Sequence, residues 1–64
     1  MELQGRRILL GVTGGIAAYK AATLCRAFIR AGADVQVVMT ASACRLVTPA
    51  TMQALSGKPV FTDI

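Results

Sequence analysis

The sequence predicts an α/β fold built on a parallel sheet, and three observations carry that reading. Ile8-Leu9-Leu10-Gly11-Val12 is an unbroken apolar run between Arg7 and Thr13. Without alternation, it suits a strand covered on both faces. Residues 16–31 follow a helical repeat that Gly32 closes as a left-handed cap. Val35-Gln36-Val37-Val38-Met39 is a second short run, rich in β-branched residues. Strand, turn, helix, turn and strand fit in about 33 residues, the length and order of a right-handed crossover between parallel strands.

Each element has its own signals. In the helix, Ala17, Ala21, Leu24 and Phe28 share one face with Cys25 beside them, and Tyr19, Thr23, Arg26 and Arg30 share the other. After Thr40, residues Ala41 to Val47 read as a short helix. Thr48 then caps a further helix with Pro49 in its first turn, running to about Leu55. Ser56-Gly57-Lys58-Pro59 is a turn, and Val60-Phe61 begins a short extended piece. Two parallel strands leave both sheet edges bare, so the fold needs more strands. The ending Phe61-Thr62-Asp63-Ile64 has no cap or tail character. Residues 1–64 therefore read as the N-terminal part of one domain of a longer protein.

Composition narrows the chemistry. With 55% hydrophobic and 16% charged residues among 64, the chain is not disordered. A chain this short buries only roughly 60% of its unfolded surface and usually needs a staple or partner. It has two Cys, no His and three acidic residues. Neither a Cys₂His₂ metal site nor a Ser-His-Asp triad can be assembled, and no metal is expected. Cys25 and Cys44 stand 19 positions apart outside any C-x-x-C pattern, which reads as packed, reduced thiols. The net charge is +4, but the seven basic residues are scattered and aromatics make up only 5%. No nucleic-acid partner is expected, because base-stacking surfaces need aromatics. Arg6-Arg7 before Ile8 to Ala18 imitates a signal peptide, yet Thr13-Gly14-Gly15 interrupts it and Lys20 follows. No run approaches the ~20 apolar residues of a membrane span. No membrane partner and a cytoplasmic location are the expectations.

The chemistry concentrates at Gly11-Val12-Thr13-Gly14-Gly15-Ile16-Ala17. A glycine turn from a parallel strand into a helix presents backbone N–H groups at the positive end of the helix dipole, a setting for phosphate. A plain tight turn is the bland alternative. The Walker pattern fails, because Ile16 follows Gly15 and Lys20 comes a full turn later. The dinucleotide fingerprint fails too: the glycine spacing is wrong, and Asp34 stands at the beginning of the second strand. Thr40-Ala41-Ser42 occupies the carboxyl end instead, opposite the glycine turn. Hydroxyl donors suit phosphate oxygens, so a mononucleotide phosphate fits, with flavin mononucleotide (FMN) the natural candidate. Helix capping explains Thr40 and Ser42 equally well.

Gly11-Val12-Thr13-Gly14-Gly15-Ile16-Ala17-Ala18-Tyr19-Lys20 resembles the opening of the homo-oligomeric flavin-containing cysteine decarboxylases. Three more blocks agree in order and spacing: Gly32-Ala33-Asp34-Val35, Val38-Met39-Thr40, and Val47-Thr48-Pro49 through Gln53-Ala54-Leu55-Ser56-Gly57-Lys58-Pro59-Val60. The likeness is strongest to the bacterial branch that joins phosphopantothenoylcysteine decarboxylase to phosphopantothenate–cysteine ligase.

The resemblance implies a flavodoxin-like (Rossmann-type) three-layer parallel sheet, of which the chain supplies the first β-α-β unit and the following helices. It implies FMN as cofactor, phosphopantothenoylcysteine as small-molecule substrate, 4′-phosphopantetheine as product, and assembly as a homotrimer or multiple of trimers. Carried over by position, Gly14, Gly15 and Ile16 would line the FMN phosphate turn, and Thr40, Ala41 and Ser42 would close it. Leu46 stands where relatives often carry Phe. The family's base is a His in a later segment, so no catalytic residue is expected within these 64. Two alternatives are a flavin prenyltransferase, whose turn usually reads G-x-S-G-A, and a non-catalytic FMN-binding regulatory subunit.

Overall fold

Parallel pairing organises the chain. Strand β1 (Arg7–Val12) lies beside strand β2 (Asp34–Met39) in the register Arg7↔Asp34 to Val12↔Met39, and helix α1 (Ala17–Arg30) crosses between them. Helices α2 (Ala41–Cys44) and α3 (Pro49–Ser56) follow. The computed structural model describes residues 3–15 and 17–62, with Ala17 as backbone only. Ile16, assigned above to the phosphate turn, and Asp63 and Ile64 lie outside the described residues.

The two faces of the sheet differ. Val12 of β1 and Val35, Val37 and Met39 of β2 are buried, with Ile8 and Leu10 half-buried beside them. Helices α1 and α3 pack on each other and on β2. Met52 of α3 and Cys25 of α1 join Met39 with no exposed surface. Burying each Val or Met of this set contributes about 1.5–3 kcal/mol. The opposite face carries Leu9, 73% exposed, and exposed Gly11. Coverage of β1 on both faces is thus not supplied by the described residues, which build two layers of the fold.

Helix α1 buries Ala18, Ala21 and Cys25, while Phe28 and Ile29 are half-buried. Leu24, expected on the inner face, is 45% exposed. The reason is geometric: the apolar arc is wider than a two-stranded sheet can cover. Leu24 instead flanks a groove of about 720 Å³ beside β1, lined by Leu10, Gly11, Lys20, Ala21 and Thr23. The helix ends as predicted. Gly32 takes φ +94°, its N–H bonds the Ile29 carbonyl, and the Ala33 N–H reaches back to the Phe28 carbonyl, both at 3.0 Å. This paired pattern satisfies carbonyls that the helix end would leave open.

Two expectations about the second half need correction. The helix expected over Ala41 to Val47 stops at Cys44. Thr48, ahead of Pro49, must be extended (ψ 145°), so the chain unwinds through Arg45–Val47 first. Both edges of the sheet are not bare either. Phe61 bridges Val38 in parallel: its N–H donates to the Val37 carbonyl at 3.1 Å, and its carbonyl accepts from Met39 N–H at 2.7 Å. The third piece therefore adds beside β2, away from β1, as in a Rossmann-type order. Thr48 caps α3 as expected, accepting the Thr51 N–H at 3.2 Å, and Gly57 closes that helix at φ +77°.

Both cysteines are free, and burial pushes the Cys25 thiol above its ordinary pKa. In the native protein carrying this chain, Cys25 should resist alkylation at pH 8 and become reactive only on denaturation, as mass spectrometry of labelled peptides would read. Gly32→Ala should cost about 1–2 kcal/mol, the penalty for a Cβ in the left-handed region. A urea melt checks it, and an unchanged midpoint would contradict the cap.

Candidate functional site

The carboxyl ends of β1 and β2 lead into two segments that meet. Beyond β1 come Thr13, Gly14 and Gly15, all exposed, and then α1. Beyond β2 comes half-buried Thr40, followed by Ala41 and Ser42, both exposed. The Thr40 N–H donates to the Val12 carbonyl at 3.0 Å, which carries the parallel ladder past the strand ends and ties the segments together.

The two glycines serve different purposes. A Cβ placed on Gly14 would stand 2.6 Å from Cβ of Ser42, closer than real Cβ atoms approach one another. Gly14 is thus required by contact with the opposite wall. Gly15 has no heavy atom within 4 Å of its Cβ direction, but takes φ +117°, which L side chains rarely adopt. It is required by backbone shape. Its carbonyl accepts the Ala18 N–H at 3.0 Å, closing the first turn of α1.

Thr40 is a helix cap, one of the two alternatives open from sequence. Its Oγ1 accepts the Ala43 N–H at 3.2 Å, with backbone φ −75° and ψ 162°. That bond engages an oxygen lone pair and leaves the hydroxyl proton free to donate. Capping and phosphate donation are compatible at this one side chain. Ser42, by contrast, lies inside α2 and caps nothing.

Electrostatics favour an anion here. The one carboxylate among the described residues, Asp34, starts β2 at the other end of the sheet. A six-residue strand places it about 17 Å away. It is paired there with Lys58, Nζ to Oδ1 at 2.6 Å. The N-terminus of the fourteen-residue α1 adds its positive dipole end beside the glycine turn. No group of three or more metal-ligating side chains occurs among the described residues.

The structure thus brings the segment of Gly14 and Gly15 against the segment of Thr40, Ala41 and Ser42, through the contact of Gly14 with Ser42, while Ile16 lies outside the described residues. The direct seating of Gly14 on Ser42 was not readable from the sequence, since no local pattern reports a contact across two loops.

Gly15→Ala should cost about 1–3 kcal/mol from backbone conformation alone, because its Cβ would meet open space. Chemical denaturation of the native protein checks this. A loss well above that range would show that packing, rather than φ, fixes the residue.

The family model described as Flavoprotein matches residues 1–64. The chain is 62% identical over 62 residues to the coenzyme A biosynthesis bifunctional protein CoaBC of Vibrio parahaemolyticus serotype O3:K6, covering 97% of this chain and 16% of that protein. With CoaBC of Bacillus subtilis strain 168 the identity is 56% over 61 residues, covering 95% of this chain and 15% of that protein. The chain therefore spans about a sixth of the length of these relatives. Among solved structures, the FMN-dependent cysteine decarboxylase SpaF superposes with TM-score 0.75 at 28% identity, covering 89% of this chain and 34% of that one. MrsD from Bacillus sp. HIL-Y85/54728 superposes with TM-score 0.76 at 22% identity, covering 89% and 33%, which shows the shared Rossmann-like fold. Matched from its first residue to its last by the family model, the chain belongs to the flavoprotein family.

Proposed function

We propose that residues 1–64 form the N-terminal part of the FMN-binding domain of a phosphopantothenoylcysteine decarboxylase, fused in the full protein to phosphopantothenate–cysteine ligase. The observation that carries the reading is the seating of Gly14 on Ser42, which brings the glycine turn against the Thr40–Ser42 segment at the carboxyl edge of the sheet. This is where open α/β sheets bind ligands. The bifunctional relatives and the FMN-dependent cysteine decarboxylase SpaF support the same choice over a prenyltransferase or a regulatory subunit.

The residues present fit a flavin phosphate. Gly15 leaves open space where a side chain would stand, so an anion can approach backbone N–H groups there, and Gly14 lets the turn close on Ser42. Thr40 offers a hydroxyl proton from an oxygen already anchored on Ala43. Ile16 and Ala41 complete the proposed cradle, with Ser42 packed against its glycine turn. Bound there, FMN would supply the reversible thiol oxidation that decarboxylation of a cysteine conjugate requires. The role of this chain is to hold and orient. It has no His, and its described carboxylate stands at the far end of β2, so proton transfer near neutral pH falls to residues outside these 64. No described helix is long and apolar enough to cross a membrane. A cytoplasmic, trimer-based assembly acting on a small molecule completes the proposal.

In the full-length protein, Gly14→Asp should abolish FMN retention, since it adds bulk and negative charge at the phosphate. Thr40→Ala should weaken FMN binding by about 1–2 kcal/mol, the loss of one hydrogen bond to a charged group. Flavin absorbance per protomer reads both, and a Gly14→Asp protein that keeps full flavin would remove the assignment.

A further inference from the structure

We infer that Ser42 acts in this cradle as a spacer through its Cβ, and that its hydroxyl is not a phosphate ligand. The inference rests on the FMN reading above and gives one of its residues a different task from Thr40. Three observations separate the pair. The Cβ of Ser42 is the nearest atom to where a Gly14 side chain would stand, at 2.6 Å, whereas its Oγ lies at 3.6 Å. Ser42 is exposed, and its hydroxyl makes no hydrogen bond among the described residues. The Thr40 hydroxyl, half-buried, is held by the Ala43 N–H.

An exposed hydroxyl without a partner samples several rotamers and must lose that freedom to bind. A hydroxyl already fixed by a backbone N–H loses little. What the fold does fix at Ser42 is the Cβ, because helix α2 carries its Cα and the glycine turn abuts it. The distance between the glycine turn and the β2–α2 junction is therefore set by one carbon atom. Too much bulk at that contact pushes the turn's N–H groups away from Thr40. The residue class that meets the need is any small side chain with a Cβ, hydroxylated or not.

The test uses the flavin-free full-length protein titrated with FMN and with riboflavin, which lacks the phosphate. Ser42→Ala should leave FMN affinity within about twofold of the parent, while Thr40→Ala lowers it about fivefold or more. Gly14→Ala should lower FMN affinity at least about tenfold and riboflavin affinity far less. Adding Ser42→Gly to Gly14→Ala removes the opposing Cβ and should restore most of the loss. Ser42→Ala losing as much FMN affinity as Thr40→Ala would overturn the inference, as would a double variant no better than Gly14→Ala. If Gly14→Ala does not fold, the comparison of Ser42→Ala with Thr40→Ala decides alone. Equal binding of FMN and riboflavin by the parent would sink the phosphate reading itself, and the spacer with it. Preferred FMN binding with a failed Ser42 pattern sinks only the spacer.

Discussion

The register of β1 against β2 is the constraint on which both core and crevice depend. Pairing Ile8 with Val35 and Val12 with Met39 puts Ile8, Leu10 and Val12 on the same face as Val35, Val37 and Met39. A slip of one residue would turn either set to the other face. The same register sets Thr40 against the Val12 carbonyl and brings Ser42 onto Gly14. Apolar burial on one face thus brings together two polar loops, which then meet directly at Gly14 and Ser42. The functional edge inherits its precision from the core.

The far end of the sheet is held by weaker means. Gln36 donates to the Pro59 carbonyl at 2.9 Å, and Lys58 pairs with Asp34 across half-exposed side chains. A solvent-screened pair of this kind is worth at most about 1 kcal/mol. Its use is positional: it steers the chain after α3 back alongside β2, where Phe61 forms two backbone hydrogen bonds. Buried Met52, rather than the ion pair, supplies the energy that keeps α3 in place.

Much of this was legible in the sequence because the signals were local. The run from Ile8 to Val12, the β-branched run after Asp34, Gly32 as a cap, and Thr48 with Pro49 each report on their own neighbourhood, and each element forms where its signal stands. The turn glycines were legible as a turn for the same reason. Leu24 was not, because its exposure depends on how much sheet lies beneath α1, and periodicity does not record the width of a partner. The extended piece at Val60-Phe61 was legible, but its pairing with Val38 was not, because an isolated bridge carries no pattern that names its partner. At Thr40, residue type left capping and phosphate binding level; the structure shows the cap, made through the hydroxyl oxygen, and leaves the hydroxyl proton uncommitted.

The outward side of this sheet also bears on how such a protein is made. Leu9 and Phe61 stand exposed on the unit, and β1 has no strand on its outer edge among the described residues. An open edge offers unpaired backbone groups, and the neighbouring apolar surface makes contact with another chain favourable. While a nascent polypeptide has only this unit assembled, every copy on a polysome is a template for its neighbour. Until that edge is covered, the unit is exposed to misassembly even though its core is already closed around Met39 and Met52.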